Sequence, residues 1–582
     1  MTKKRKRFVA DFETTNNIDD CRVWLWGMVE MGKLNFNYGK TLDEFMSTIL
    51  DKGIDIEFHN LKFDGSFILP WLLKEGYKRV VDFTGEDKEF KCIISNKMEW
   101  YMIDILKEGA NNKKHVMITD SLKSLPFSVK VIGEDYGFNV LKGEIDYNKE
   151  RPVGYEPDEN EIRYVQNDCE IVARARMSQI EMGMDGMTIG SSSMRVYKKK
   201  LSELTKSAKT FDALFPSPTI EEDKDIRKAF KGGFTWANPF YQERNDIGAG
   251  RTYDVNSMYP YIMRHLPLPF GKPLKFNGEY KEDKAYPLYI QKVTFGFEIK
   301  EGMIPCISSR GTHLRTENEY LDYSGAELLT MFVSGQDWEM IQEHYNVFCV
   351  SYEGGYKYKA RTGMFNEFID MYMDIKMNSE GAIKMNAKLM MNNLYGKFAT
   401  NPDMTGKIPF LDDYEELQFK DEDENLADPK YPALSVFVTS YGRQITIGAG
   451  QAVGLEKLLY CDTDSIHVLG DSEPTILRDK IDSKKLGYWK HESTFTRGKY
   501  LRQKMYVEDV CYKEVEGELV ECNTDDMETT ILNVKCSGLP SDMKDLITFE
   551  NFNKGLRLKG VKKSIIVKGG SIVSESTFEI AH

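Results

Sequence analysis

Apolar runs that end in acidic residues recur along the chain. Residues 8–15 alternate around Asp11 and Glu13, which predicts a buried strand with both carboxylates on one face. Residues 56–60 predict another strand, and residues 67–73 predict a helix soon after it. A strand core rarely tolerates two like charges unless they are paired, so the first strand is a candidate site.

Two longer stretches have helical character. Residues 159–182 place Tyr164 and Asp168 at i and i+4, on one face of a helix. Residues 363–398 predict one apolar helix, with Lys376 two turns before a row of polar positions. That row comprises Lys384, Lys388, Asn392 and Tyr395, which span about 80° of one face. A row of lysines suits a triphosphate, and a solvated lysine face is the common alternative.

The stretch from Leu458 to Val468 predicts a strand, a tight turn and a returning strand. Asp462 and Asp464 lie at the turn and project from the same face. Crowded carboxylates repel unless a cation neutralises them, and Mg²⁺ prefers oxygen ligands. Alone, such a pair is usually a polar hairpin turn. A further predicted strand ends at Asp254, and its carboxylate is the partner that a two-metal site needs.

Composition narrows the class of protein. The chain has 582 residues, 41% of them hydrophobic, which predicts several globular domains. The nine cysteines have no CxxC spacing, so neither a zinc site nor a disulfide framework is indicated, and a reducing cytoplasm fits best. We expect no signal peptide and no membrane span, because no apolar run reaches about 18 residues.

The charge is sorted along the chain. A net charge of −13 argues on its own against nucleic acid, whose backbone attracts Lys and Arg. However, residues 551–570 contain six basic residues and no acid, so a basic track for a polyanion can coexist with the acidic total. Residues 411–428 contain nine acids and one lysine, and a solvated hairpin tip is the favoured interpretation there.

Four carboxylates in the first third of the chain are enough to hold two Mg²⁺. They are Asp11, Glu13, Asp64 and Asp168. Tyr164 lies one helical turn from Asp168, where its phenol could orient an attacking water. This set suits two-metal hydrolysis of a phosphodiester. Each short motif alone is most often structural, and their order and spacing make the combination specific.

These three motifs, Asp-Phe-Glu at 11–13, Asn-x-x-Phe-Asp at 60–64 and Tyr-x-x-x-Asp at 164–168, resemble those of the proofreading 3′–5′ exonuclease domain of DNA polymerases. The resemblance implies that the four acids ligate metal and that Lys142 lies near the scissile phosphate. Glu144 stands where the family usually has Asp, which weakens the case for a metal ligand there. The positions implied to hold single-stranded DNA are Thr14, His59, Asn60, Phe63, Phe67, Ser121, Leu122 and Tyr147.

The remainder resembles motifs A, B and C of family B DNA polymerases, in Asp254–Pro260, Lys388–Lys397 and Tyr460–Ser465. The resemblance implies metal binding by Asp254 and Asp462, with Asp464 as a less certain third acid. Tyr259 would exclude a ribose 2′-OH. Implied nucleotide contacts are Val255, Tyr259, Lys376, Lys384, Lys388 and Tyr395, and implied DNA contacts are Gly232, Gly233, Ser257, Asn392, Gly396, Thr439, Arg443, Arg502, Lys504 and Tyr506. Phe230 and Asn393 depart from the usual Tyr and Ser.

The length and two inserted stretches resemble the protein-primed branch found in small Bacillus phages. This implies an α/β and α+β multidomain fold with an RNase H-like exonuclease domain (1–188) and a right-hand polymerase. The polymerase would comprise palm (189–265 and 432–536), fingers (364–399) and thumb (537–582), with terminal-protein-region insertions at 266–363 and 400–431. The first insertion would dock a terminal protein, and the second would give strand displacement and processivity.

The expected activity is protein-primed, DNA-directed synthesis of viral linear DNA with 3′–5′ proofreading. The expected ligands are two Mg²⁺ per site (Mn²⁺ as an alternative), primer-template and single-stranded DNA, deoxynucleoside triphosphates and a terminal protein. We expect a monomer in the cytoplasm of an infected bacterium. The alternatives are a stand-alone nuclease with an inactive polymerase half, or a non-catalytic DNA-binding replication protein.

Overall fold

A computed structural model describes residues 5–50, 52–107, 114–147, 149–314, 316, 319–470, 472–515 and 518–581. The N-terminal part is a mixed sheet in the order β3-β2-β1-β4-β8-β7-β6-β5, in which β1 is parallel to β4 and antiparallel to β2. Its strands are β1 (Lys6–Thr14), β2 (Val23–Glu30), β3 (Phe36–Gly39), β4 (Ile54–Phe58), β5 (Lys78–Arg79), β6 (Glu89–Ile94), β7 (Trp100–Lys107) and β8 (Lys114–Asp120). The candidate strand β1 therefore lies inside this sheet, as its buried alternating pattern predicts.

A second sheet carries the other candidate acids, in the order β21-β20-β19-β10-β18-β17-β9 with β22 paired to β20. Its strands are β9 (Thr235–Ala237), β10 (Gly250–Val255), β17 (Leu458–Asp462), β18 (Ser465–Leu469), β19 (Trp489–Arg502), β20 (Met505–Val515), β21 (Glu518–Glu521) and β22 (Thr529–Cys536). The segments around residues 254 and 462 thus become near neighbours, although some 200 residues separate them.

Three smaller strand groups complete the β structure. A four-stranded sheet in the order β11-β14-β12-β13 contains β11 (Leu268–Phe276), β12 (Leu288–Ile299), β13 (Leu329–Ser334) and β14 (Tyr345–Arg361). The acidic stretch forms a hairpin of β15 (Lys407–Leu411) and β16 (Leu417–Asp421), and the basic stretch forms a hairpin of β23 (Arg557–Val567) and β24 (Gly570–Glu579). All three groups lie where the sequence predicts the two insertions and the thumb.

Twelve α-helices are found among the described residues. They are α1 (Leu42–Leu50), α2 (Leu61–Lys74), α3 (Val129–Asp135), α4 (Glu159–Glu181), α5 (Ile189–Thr205), α6 (Thr210–Leu214), α7 (Ile220–Lys228), α8 (Met258–His265), α9 (Gly335–His344), α10 (Asn366–Asn378), α11 (Gly381–Phe398) and α12 (Pro432–Val453). Asp158 begins α4 with a capping box, which fixes the start of the helix that carries Tyr164 and Asp168.

The prediction of one helix over 363–398 is wrong. Two helices, α10 and α11, contact each other across a break at Ser379 and Glu380, and Gly381 has φ +53°. A positive φ favours glycine, so the break has a local cause in the sequence. Lys376 lies on α10 and therefore does not extend the lysine row of α11.

The interpretation of residues 411–428 as a solvated tip is also wrong in part. Leu417 is buried in the core of the N-terminal sheet, and the Phe419 ring lies edge-on to Trp100 at 5.8 Å. Glu422 pairs with Arg79 at 2.5 Å, with both side chains at least four-fifths buried. Glu415 pairs with Lys74 and with Lys568. The hairpin is therefore docked to the N-terminal sheet and to the C-terminal hairpin.

All nine cysteines are free thiols. None of the helices within the described ranges is long and apolar enough to cross a membrane.

Candidate active sites

The turn between β17 and β18 brings the polymerase-type acids to one edge of the second sheet. Asp254 pairs in register with Ser465, and the backbone N–H of Val255 donates to the Asp464 carbonyl at 2.8 Å. Thr463 takes a positive φ of +60° at the turn, and its N–H donates to the Phe234 carbonyl. Backbone pairing alone therefore places the end of β10 beside the turn.

The two turn acids, of which Asp462 is the expected metal ligand and Asp464 the less certain one, differ in their effect on Asp254. Burial, then the Asp464 carboxylate, raises the pKa of Asp254 to about 8. Burial and Asp462 raise the pKa of Asp464 to about 6, against a backbone hydrogen bond that lowers it. Asp464, rather than Asp462, is therefore the acid that faces Asp254.

Asp462 has a different set of partners. Its carboxylate accepts hydrogen bonds from Lys504 Nζ at 2.8 and 2.9 Å and from Thr235 Oγ1 at 3.1 Å. Thr235 is opposite Asp462 in the β9–β17 register, so the contact follows from strand pairing. Asp462 is therefore held by Lys504 and Thr235, whereas Asp464 is the turn acid whose charge acts on Asp254.

The Gly232–Gly233 loop rests on the same turn. A Cβ on Gly233 would lie 2.7 Å from Cγ2 of Thr463, closer than real contacts allow, whereas a Cβ on Gly232 would meet no atom within 4 Å. The second glycine is thus needed for close approach to the turn that carries Asp462 and Asp464.

Lysines of α10 and α11 lie close enough to the acids or to one another to shift pKa values. The charge of Lys388 on α11 lowers the pKa of Asp254 and of Asp464, and Lys384 lies one turn earlier on the exposed face. On α10, Lys376 Nζ donates to Ser257 Oγ at 2.9 Å, while burial and the other two lysines lower its pKa. The helical hairpin therefore directs three ammonium groups at one place.

Tyr259 and Tyr395 contact each other near the acids, and the charge of Asp464 acts on the pKa of both phenols. Their ring centroids are 4.5 Å apart with a 41° tilt, and burial raises the pKa of each phenol. The contact joins the start of α8 to the C-terminal half of α11, as expected if both rings border a bound nucleotide.

Three predicted DNA contacts are largely buried, and their DNA role stays a prediction, although Arg443 also lines the cavity described below. Thr439 is 1% exposed and its hydroxyl donates to the Ser435 carbonyl. Arg443 is 5% exposed, makes a two-point ion pair with Asp337 at 2.9 and 2.7 Å, and donates to the Gly232 carbonyl. Tyr506 is 8% exposed. Its ring packs against Tyr460, Tyr500 and His467 at 4.9–5.6 Å.

Other predicted DNA contacts border open space. Arg502 and Lys504 line a cavity of about 1210 Å³ together with Gly232 and Gly233. Asn392 and Gly396 line a cleft of about 310 Å³ between α11 and the start of α5. Thr463 of the β17–β18 turn lines the larger cavity, and Tyr395 lines the smaller cleft. These four residues therefore stay predicted DNA contacts.

The four exonuclease-type acids lie close enough for several of them to act on one another's pKa. Asp11 and Glu13 lie on β1, Asp64 on α2 accepts the Phe12 N–H at 3.2 Å, and Asp168 lies on α4. Burial, then Asp168, raises the pKa of Asp11 to about 7. Burial also raises the pKa of Glu13, Asp64 and Asp168, with neighbouring acids adding to the first two.

Lys142 and two tyrosines border these acids. Lys142 Nζ pairs with Asp168 Oδ2, and this carboxylate raises the lysine pKa although burial opposes it. The Tyr164 hydroxyl lies 2.9 Å from that of Tyr147, whose side chain is 52% exposed. Glu144 is exposed on the same loop, and its metal role stays a prediction.

Three expected single-strand contacts have structural partners within the protein, and their DNA role stays a prediction. Phe67 is 1% exposed, and a Cβ on Gly570 would lie 2.1 Å from its ring, so it belongs to the core. Both ring nitrogens of His59 are bonded internally, to Ser121 Oγ and the Phe127 carbonyl at 2.9 and 2.7 Å. Ser121 is 2% exposed. The half-buried or exposed positions Thr14, Asn60, Phe63, Leu122 and Tyr147 stay predicted contacts.

The donor chemistry of both sites fits a hard divalent cation. Asp168 Oδ1 is buried and has no hydrogen-bond partner among the described residues, as expected of an oxygen that serves an ion. Within the described ranges, no three His, Cys, Asp or Glu side chains converge closely enough to form a metal cage. Carboxylates repel one another when no cation neutralises them. In this structure a lysine ammonium forms an ion pair with one acid of each site, Lys142 with Asp168 and Lys504 with Asp462.

Two contributors were missed by sequence reasoning. Glu492 and Lys490 on β19 act on the pKa of Asp254 in opposite directions. Both residues flank His491 on a strand that pairs with β10. The alternation of Lys490, His491 and Glu492 is visible in the sequence, but it points to Asp254 only once the pairing of the two strands is known.

Comparisons with known proteins agree with this geometry. The model of the family described as DNA polymerase type B, organellar and viral, matches residues 46–482. The DNA polymerases of Bacillus phages Nf and phi29 are 47% and 46% identical over 578 residues, which span 99% of this chain and 100% and 99% of theirs. A structure of Phi29 DNA polymerase with primer-template DNA superposes with a TM-score of 0.94 at 45% identity, covering 99% of this chain and 100% of the other.

Proposed function

Because the chain belongs to the organellar and viral type B DNA polymerases, we propose that its two acid sites divide DNA synthesis and 3′–5′ proofreading between them. The observation that carries the proposal is that two separate carboxylate clusters, each with raised pKa values, lie on different sheets of one chain. Strongly perturbed carboxyl pKa values cluster at functional sites.

In the synthetic site, Asp254 and Asp464 would hold the Mg²⁺ ions, with Asp462 supporting the turn through Lys504 and Thr235. Lys376, Lys384 and Lys388 would bind the triphosphate, since each ammonium offsets phosphate charge that grows during phosphoryl transfer. Tyr259 would close the sugar pocket against a 2′-OH, and Val255 would present its backbone at the same edge.

In the degradative site, Asp11, Glu13, Asp64 and Asp168 would hold the Mg²⁺ ions and Lys142 would contact the scissile phosphate. The Tyr164 hydroxyl, held by Tyr147, would orient the attacking water. In both sites the bound ions supply charge neutralisation and Lewis-acid activation for an in-line displacement. Two Mg²⁺ per site, or Mn²⁺ in their place, is the proposed cofactor complement.

Initiation from a terminal protein is part of the proposal. The structures of Phi29 DNA polymerase contain primer-template DNA, single-stranded DNA or incoming nucleotides. We extend these ligands to this chain on the strength of 45% identity, and assign terminal-protein docking to 266–363 and strand displacement to 400–431. We propose that the protein acts as a monomer in the cytoplasm of an infected bacterium. The proposed boundaries of the exonuclease, palm, fingers and thumb are those predicted from the sequence.

Two substitutions test the division of labour. Asp254→Asn should abolish primer extension and spare degradation of a single-stranded oligonucleotide, and Asp11→Ala should do the reverse. Asp246→Asn is a matched control, because Asp246 is exposed and pairs only locally with Arg244. Loss of both activities in either variant, at unchanged thermal stability, would contradict two independent sites.

Terminal-protein priming needs its own assay. Incorporation of dAMP onto a purified terminal protein, without any oligonucleotide, should proceed with wild type and cease with Asp254→Asn. Extension of oligonucleotides without any labelling of the terminal protein would show that priming by protein is not a property of this chain.

A further inference from the structure

A buried polar chain crosses from the exonuclease domain to the fingers helix α11. Asn386 on α11 is fully buried, and its Oδ1 accepts hydrogen bonds from the Tyr136 hydroxyl at 2.8 Å and from Gln179 Nε2 at 3.3 Å. Tyr136 ends α3, and Gln179 lies on α4, the helix that carries Tyr164 and Asp168. Asn386 itself lies between Lys384 and Lys388 in the sequence, on the opposite, buried side of the helix.

The chain continues into the exonuclease sheet. Gln179 Oε1 accepts from Arg176 Nη1, and Arg176 pairs with Glu57 on β4 through two hydrogen bonds of 2.6 and 3.2 Å. Gln179 is fully buried, and Arg176 is 3% exposed. Every link is removed from water, so its geometry is held far more firmly than that of a surface pair.

One atom in this chain is not accounted for. Asn386 Nδ2 is buried without a hydrogen-bond partner among the described residues. A buried amide donor left unpaired is costly, and an apolar side chain of similar size would avoid that cost. A residue chosen only to pack α11 against the exonuclease domain would therefore not be asparagine, which indicates that the bonds made by Oδ1 have a use.

We propose that Asn386 is a positioning residue that ties the nucleotide-binding lysines of α11 to the exonuclease domain. Through this tie, Lys384 and Lys388 are held at the register in which they meet the triphosphate. Synthesis overtakes degradation at a certain dNTP concentration. That concentration therefore depends on the hydrogen bonds between Asn386 and the exonuclease domain. This inference rests on the proposed nucleotide role of the two lysines.

The test uses Asn386→Leu, Tyr136→Phe and the double variant in the full chain. Tyr345→Phe is the matched control, since it deletes another buried tyrosine hydroxyl, bonded to the Leu321 carbonyl in the first insertion. Three quantities are measured: kcat and KM for dNTP in primer extension, degradation of single-stranded DNA, and the dNTP concentration that suppresses degradation of a paired primer.

We expect Asn386→Leu and Tyr136→Phe each to raise KM for dNTP and the suppressing dNTP concentration about three- to tenfold, with kcat and single-strand degradation within twofold of wild type. The double variant should be no worse than the more affected single variant, because both act through one bond. The control should leave all three quantities unchanged.

The inference would be overturned if kcat for synthesis and the rate of single-strand degradation fell equally, together with thermal stability. An unchanged KM for dNTP, or additive effects in the double variant, would also overturn it. The failure of the proposed function looks different. In that case wild type itself would show no dNTP-dependent extension, or Lys388→Ala would leave KM for dNTP unchanged.

Discussion

Replacing each turn acid separately tests which of them is the partner of Asp254. Asp464→Asn removes the carboxylate whose charge most strongly raises the pKa of Asp254, so we expect the rate of nucleotide addition to fall about 10³-fold, near the upper range for one preorganised charged group. Asp462→Asn removes an acceptor for Lys504 and Thr235. Loss of such a supporting partner typically costs about 10- to 100-fold.

The two effects therefore differ by at least about tenfold, or about 1.4 kcal/mol of activation free energy. Neither change should lower thermal stability much through the Lys504 pair, because that lysine is 56% exposed and exposed pairs contribute about 0–1 kcal/mol. Asp464→Asn should in addition raise the Mg²⁺ concentration needed for half-maximal rate.

The assay is single-nucleotide incorporation by rapid quench, in an Asp11→Ala background that removes degradation, over a range of Mg²⁺ concentrations. Lys504→Met is a useful companion, since it frees Asp462 and leaves both turn acids in place. The reasoning is refuted if Asp462→Asn lowers the rate as far as Asp464→Asn does, or if only Asp462→Asn changes the Mg²⁺ requirement.

Three further outcomes follow from the same geometry. Gly233→Ala should slow primer extension and lower stability by about 1–3 kcal/mol, because its new Cβ forces the turn at Thr463 to move. Gly232→Ala should be near neutral in the same extension and melting assays, because its new Cβ meets open space. The pKa values of Asp11 and Asp254, about 7 and 8, lie above their unfolded value of 3.8, so the folded state holds protons that the unfolded state has lost. Without metal, stability should then fall as pH rises from about 4 to 8; calorimetry should show the largest stabilisation by Mg²⁺ at the upper end of that window, and a flat response would contradict it. Tyr259→Val should raise ribonucleotide incorporation, measured as the ratio of kcat/KM for dNTP and rNTP, and an unchanged ratio would remove this ring from the sugar pocket.

The overall architecture was predictable because its signals are local or carried by motifs. The alternation around Asp11 and Glu13 predicts β1, and the 458–468 pattern predicts the hairpin with the correct turn. The fold and family expected from the resemblance are confirmed by the match to residues 46–482 and by the superposition on Phi29 DNA polymerase.

The surroundings of several predicted site residues depend on contacts distant in the sequence. Nothing near Arg443 shows that Asp337, about a hundred residues earlier, will neutralise its guanidinium in the interior. Likewise, the sequence around Asp462 does not show that Lys504, which is 42 residues away in the sequence, donates to its carboxylate. Residues 363–398 are apolar enough to predict one continuous helix. The break between α10 and α11 is seen only in the structure, where Gly381 has a positive φ.

The C-terminal hairpin has a consequence for how the chain is made. Its tip lies on the N-terminal domain: a Cβ on Gly569 would lie 2.5 Å from the Cys21 carbonyl, and the Val573 N–H donates to Asn16 at 2.7 Å. A contact that spans 557 residues cannot form until residue 573 has been synthesised, whereas the N-terminal sheet can fold as soon as it emerges. The nascent chain therefore passes through a stage in which the exonuclease sheet is formed but its partner hairpin is absent.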